Sequence, residues 1–195
     1  APGAVDWRAR LGLSPGCRLV VSLGRLIPEK GVPELIEAFR RAAPPNAALV
    51  VAGDGPLLAK LQQAPVPGVY LVGSVPYAQA MQLLAQSQLY CLPTYYAEGF
   101  PTTFLEAAAC GCPILTTRTG GSSELLPDES YGIQLDGPDP GPLSQALAGA
   151  LAREGWRLAA AQKTAARLEA LFTWDAVAAQ VEQLARTACE QQKKG

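Results

Sequence analysis

The sequence contains no histidine. That absence excludes a Ser-His-Asp triad, a Cys-His nucleophile pair and any histidine-based metal site from this chain. Acid–base work would fall to carboxylates, thiols, tyrosine or lysine. Methionine is nearly absent too: the single residue is Met81, in mid-chain, and residue 1 is Ala. The expectation is a piece of a longer gene product, or a processed end. Charged residues make up 17%, below the roughly 25% of a typical soluble domain, so much of the chain is expected to be buried. No apolar run approaches the roughly 18 residues of a membrane span, and no signal peptide is visible. The formal net charge is −1, which argues against a nucleic-acid partner held by overall charge.

What is present fits one domain. The chain has 195 residues, 49% of them hydrophobic, enough for a single real core and too few for two. The five cysteines are odd in number and show no disulfide spacing. Cys110 and Cys112 flank Gly111, but no second pair completes a metal site, so the thiols read as small buried side chains in a reducing, cytoplasmic compartment.

Short β-rich runs alternate with amphipathic ones. Strands are expected at Arg18–Leu23, Ala48–Ala52, Val69–Val72, Leu89–Leu92, Pro113–Thr116 and Ile133–Leu135. Helices are expected at Val32–Ala43, through Leu61, at Tyr77–Ala85, from Thr102 or Thr103 to Ala109, and at Pro142–Arg153, Trp156–Leu171 and Trp174–Gln191. Continuously apolar strands alternating with helices predict an α/β fold with a doubly wound parallel sheet, Rossmann-like, covered on both faces. Ligands of such sheets bind beyond the carboxyl ends of the strands. The loops there are 24–31, 53–56, 73–76, 93–102 and 117–123.

Two of these loops carry chemistry. In Gly24-Arg25-Leu26-Ile27-Pro28-Glu29-Lys30-Gly31, Gly24 permits close backbone approach. Arg25 and Lys30 suit a diphosphate, or are surface cations paired with Glu29 or Glu34. No G-x-G-x-x-G or Walker loop accompanies them. The loop 94–106 leads into a helix whose first N–H groups suit a phosphate, although a threonine N-cap with Glu106 would instead form a capping box. Glu98 and Glu106 would repel a phosphate and are better placed to accept hydrogen bonds from sugar hydroxyls.

The stretches VVSLGRLIPEKG, LVVAGDGP, VYLVGSVP, LPTYYAEGFPTTFLEAAACGCPI and TGGSSELL occur in that order. Together they resemble the C-terminal, nucleotide-sugar-binding half of a GT-B fold glycosyltransferase of the retaining family four. The Glu98–Glu106 pair matches that family's E-x7-E motif, and FTWDAVAAQVEQL is similar to its terminal helix.

The resemblance implies a role for each position. Arg25 and Lys30 would hold the diphosphate, with Glu98 the third catalytic residue, bound to the donor sugar. Gly99, Phe100 and Pro101 would wall the sugar. Backbone from Thr102 and Thr103 through Phe104 and Leu105 would meet the phosphates, and Glu106 the ribose. Val75 would lie against the base, and Gly120 and Gly121 would let the backbone pass close by. The donor would be a UDP-, GDP- or ADP-type nucleotide sugar, with no cofactor and no metal, in keeping with the absence of a D-x-D motif. The chain would be one domain, 1–195, with 1–17 the end of an interdomain linker and lead-in, and 174–191 a terminal helix. An N-terminal acceptor domain would be its partner, and peripheral membrane association of the whole protein is compatible with this. The alternatives are a non-catalytic regulatory domain, a GT-B relative such as a nucleotide-sugar epimerase, and a structural domain with satisfied surface charges.

Overall fold

The computed structural model describes residues 4–96 and 99–192. Six strands form one sheet: β1 (Arg18–Leu23), β2 (Ala47–Ala52), β3 (Val69–Gly73), β4 (Leu89–Leu92), β5 (Ile114–Thr117) and β6 (Ile133–Leu135). The strand order is β3-β2-β1-β4-β5-β6, and every pairing is parallel. Along β1, β2 and β4 the side chains alternate between two cores. Leu19, Val21, Leu23, Val50 and Tyr90 enter one, while Val20, Leu49, Val51 and Cys91 enter the other. A strand buried on both faces needs apolar residues at every position, which is why these segments read as unbroken apolar runs.

Helices cover both faces. α2 (Val32–Ala42) packs on α7 (Pro140–Ala152) on one side. On the other, α5 (Thr102–Ala109) packs against α4 (Tyr77–Gln86) and α8 (Glu154–Leu171). Within α2, Val32, Leu35, Ile36 and Phe39 are buried, at the spacing the sequence shows. α3 (Leu58–Gln62) follows β2. α9 (Trp174–Gln192) packs on α8, and its stripe of Trp174, Val177, Val181 and Leu184 is exposed. Among the described residues, no helix is long and apolar enough to cross a membrane.

Two short helices have no counterpart in the sequence reading, because four residues are too few to show a period. They are α1 (Trp7–Arg10) and α6 (Ser122–Leu125). β5 starts one residue later than expected, since Pro113 has no N–H to give the ladder. α1 fastens residues 5–17 to the domain. Asp6 caps it by accepting from Arg8 N and Ala9 N at 2.9 and 3.1 Å. Trp7 is fully buried and its ring N–H donates to Gln79 O at 3.1 Å on α4. The Arg8 guanidinium donates to Cys17 O and Gln86 O at 2.7 and 2.9 Å. Replacing Trp7 by Ala leaves a cavity between α1, α4 and the sheet. The expected cost is about 3–5 kcal/mol, read from urea denaturation.

Candidate functional site

Strand order reverses between β1 and β4, so the chain leaves these two neighbours in opposite directions and a crevice opens at their carboxyl ends. The loop after β1 is stitched to the loop after β2. Leu26 N–H donates to Asp54 O at 2.8 Å, and Leu57 N–H donates back to Leu26 O at 3.0 Å. This close approach depends on Gly53, whose φ is +150° and where a Cβ would collide with the Gly24 carbonyl oxygen. The loop then closes in a 3₁₀ turn, Pro28–Lys30. Glu29 O accepts from Tyr95 N–H at 2.9 Å and from the Thr94 hydroxyl at 3.1 Å, joining the loops after β1 and β4.

α5 begins at Thr102, with Pro101 in the capping position and no side-chain cap. The capping-box alternative is therefore not formed. The Thr103 hydroxyl oxygen lies instead 2.8 Å from the hydroxyl of the buried Tyr90, and Phe104 N–H turns back to Pro101 O at 3.0 Å. Phe100 is braced from three sides. Its ring centroid is 6.4 Å from that of Phe104 and 5.2 Å from that of Phe172, at the end of α8. Gly121 forms the third side: a Cβ there would lie 2.6 Å from Phe100 Cδ2 and would overlap Gly99 O.

Two clefts meet at this crevice and share Leu23 and Gly24. The first, about 400 Å³, takes in Arg25, Asp54, Ser74, Val75 and Glu106. The second, about 500 Å³, takes in Lys30, Tyr96, Gly99, Phe100, Pro101, Thr102 and Thr103. The fold thus brings together eleven of the fifteen residues expected from the sequence: Gly24, Arg25, Lys30, Val75, Gly99 to Thr103 and Glu106 line the two clefts, and Gly121 seats the 99–100 loop. Phe104 lies buried beneath, edge-on to Tyr90, and Leu105 packs on the same core. Gly120 opens instead into a third, smaller cleft. Glu98 lies outside the described residues. Sequence reasoning missed Asp54 and Ser74, each one residue past a strand-ending glycine, and Tyr96, whose ring centroid is 5.8 Å from Lys30 Nζ. Position beyond a strand end was the available signal for all three.

Glu106 is half-buried, and desolvation raises its carboxyl above the ordinary carboxylate value. The cleft is therefore a place where ionising Glu106 costs energy until a donor reaches it. Among the described residues, no cluster of three or more His, Cys, Asp or Glu is arranged to hold a metal ion.

Residues 5–169 match the family model of glycosyl transferases group 1. The chain belongs to this family. One relative is the GDP-mannose-dependent alpha-(1-6)-phosphatidylinositol monomannoside mannosyltransferase of Mycolicibacterium smegmatis, 34% identical over 181 residues, covering 86% of this chain and 46% of the relative. Among solved structures, the sucrose-phosphate synthase of Thermosynechococcus elongatus superposes with a TM-score of 0.75 at 27% identity, covering 94% of this chain and 48% of that one. Anabaena HepE in complex with UDP and glucose shares the fold, with a TM-score of 0.76 at 23% identity, covering 94% and 51%. The chain spans about half the length of these group 1 and GT-B proteins.

Two outcomes follow for the group 1 domain. Gly121→Ala should displace Phe100 and destabilise the fold by about 1–3 kcal/mol, seen in urea denaturation together with shifted amide resonances for residues 99–104. For Glu106, a raised folded value means that its contribution to stability is complete below the ordinary carboxylate value and is lost as pH rises through the raised one. Glu106→Gln should accordingly raise the melting temperature at neutral pH and change it little near about pH 4.

Proposed function

We propose that this chain is the donor-binding domain of a group 1 glycosyltransferase, holding a nucleotide diphosphate sugar of UDP, GDP or ADP type. In this reading the sugar passes, with retention and without a metal, to an acceptor held partly by a further domain. The chain alone binds the donor and does not transfer it. One observation carries the reading: the two clefts share Gly24 at the strand-order reversal, with Arg25 on one, Lys30 on the other, and a helix start without a side-chain cap at Thr102.

The donor fits that layout from base to sugar. The base lies in the first cleft against Val75, and the ribose hydroxyls donate to Glu106, offsetting the desolvation of its carboxylate. The diphosphate crosses at Gly24, where the absence of a side chain admits it. Arg25, Lys30 and the N–H groups of Thr102 and Thr103 surround it with positive charge. The sugar then occupies the second cleft beside Gly99 and Phe100, and Glu98 is assigned to its hydroxyls. In transfer, the bond from the anomeric carbon to the diphosphate oxygen breaks and that oxygen leaves with the electron pair, while an acceptor hydroxyl oxygen bonds the anomeric carbon on the same face and gives its proton to the departing diphosphate. Fixed cations and helix dipole stabilise the charge that develops there, the part a metal plays in other transferases. The five unpaired thiols accord with action in a reducing cytoplasm.

Calorimetric titration of the chain with UDP, GDP and ADP tests the proposal. Saturable binding of at least one nucleotide is expected. Arg25→Ala and Lys30→Ala should each weaken it by about 1.5–3 kcal/mol, the scale of a charged hydrogen bond. Arg40→Ala, which removes an exposed pair with Glu37 on α2, should leave affinity unchanged. No saturable binding by any of the three would reject the reading.

A further inference from the structure

A buried hydroxyl that the donor reading does not use stands against residues lining the two larger clefts. Tyr90, on β4, is fully buried, and its hydroxyl oxygen lies 2.8 Å from Thr103 Oγ1 on α5. The other oxygen in reach is Leu23 O, at the end of β1, 3.4 Å away. Phe104 holds the Tyr90 ring edge-on, with centroids 6.1 Å apart. Leu23 lines both clefts and Thr103 lines the second. The Tyr90 side chain therefore reaches both the strand end and the helix start that form this crevice.

Two hydroxyls in contact share one hydrogen between them, and burial decides which one gives it. Tyr90 has a single hydrogen, and leaving it without an acceptor inside the protein is costly. Leu23 O is too far for a good O–H···O bond, which rarely exceeds about 3.0 Å. The Tyr90 hydrogen therefore goes to Thr103 Oγ1. Loss of solvent pushes the Tyr90 hydroxyl above tyrosine's ordinary value, so it keeps that hydrogen through the neutral range. Thr103 is then an acceptor toward Tyr90, and its own hydrogen is left to be used elsewhere. A helical threonine commonly turns its hydroxyl back onto a carbonyl of the preceding turn. Among the described residues, Thr103 makes no such bond, and the contact with Tyr90 is the one its hydroxyl has. The residue is half-buried and lines the second cleft beside Pro101 and Thr102.

We propose that Thr103 gives its hydroxyl hydrogen to the diphosphate, at the phosphate nearer the sugar, and that Tyr90 is the positioning residue that keeps it turned there. The inference rests on the donor reading above and deepens it. That reading surrounds the phosphates with Arg25, Lys30 and backbone N–H groups, and Thr103 adds an uncharged side-chain donor. The choice of phosphate follows from the layout. Glu106, assigned to the ribose, belongs to the first cleft, whereas Thr103 lines the second, assigned to the sugar. With Tyr90 donating to its oxygen, Thr103 offers the cleft a hydrogen, which suits an anionic oxygen. Tyr90 touches no ligand in this arrangement and acts only through Thr103.

A double-mutant cycle on the chain tests this, with UDP, GDP and ADP titrated against UMP, GMP and AMP. For the diphosphate that binds, Thr103→Val should weaken affinity at least fivefold and Tyr90→Phe at least threefold. The double variant should bind no worse than Thr103→Val alone, because Tyr90 acts through that hydroxyl. Thr103→Ser, which restores the hydroxyl, should bind within twofold of the parent. Monophosphate affinity should stay within twofold throughout, since the contacted phosphate is missing; where a monophosphate binds too weakly to titrate, the cycle decides. All variants should keep the parent's far-ultraviolet circular dichroism. The proposal is overturned if Tyr90→Phe binds the diphosphate as well as the parent, or if the two losses multiply in the double variant. Equal weakening of mono- and diphosphate would also overturn it, since that marks a tie that only shapes the cleft. Each of these results leaves the donor reading standing. A parent chain that binds none of the three diphosphates would remove that reading and this inference together.

Discussion

Between β1 and β4 the chain departs to opposite sides of the sheet, so no crossover covers their shared carboxyl end. A parallel sheet wound this way cannot avoid leaving one such gap, and the gap is lined by loops rather than helices. The two clefts that meet at Gly24 are arranged around that constraint. The glycine-bounded loop after β1 supplies cations on both sides of the gap, and α5 points its first turn at it from β4.

Loops at such a gap must be both close and immobile, and the structure obtains this through missing side chains. Gly53 lets the second loop pass against the first, and Gly121 gives Phe100 its seat. Phe172, far along the sequence, closes the same seat from the end of α8. The geometry near Gly99 thus depends on three segments distant in the chain. That coupling ties the core on one side of the sheet to the shape of the second cleft.

The first cleft carries charges of both signs. Arg25 and Lys30 favour an anion, while Glu106 sits partly desolvated in the same cleft as Arg25 with its carboxyl held above the ordinary value. A ligand that is anionic in the middle and rich in hydroxyls at its ends meets both demands at once. A simple anion meets only one, and it would be repelled by Glu106. In the donor-binding reading, the cost of keeping a partly buried carboxylate ready is stability given up for recognition.

Strand identity was legible by itself in the sequence, because a sheet covered on both faces demands apolar residues at successive positions, as in Leu19–Leu23 and Leu49–Ala52. The edge that carries the clefts was legible as well, since glycines and charges gather after strand ends, and the order of five motifs pointed to the glycosyltransferase family. The short helices α1 and α6 were not legible, being too brief for periodicity. The start of α5 at Thr102 was legible, but its cap was not: Pro101 rather than a threonine takes the capping position, and the Thr103 hydroxyl pairs with Tyr90 below it. Only the tertiary structure decided which side chains share a space. It put Lys30 with Tyr96, seated Phe100 on Gly121, sent Gly120 into a separate cleft beside Tyr95, and buried Phe104. Those outcomes depend on contacts between segments tens of residues apart, whereas periodicity and motif spacing report only on neighbours along the chain. The missing histidine is the one feature the sequence settled completely, since no folding can supply an imidazole that the chain does not carry.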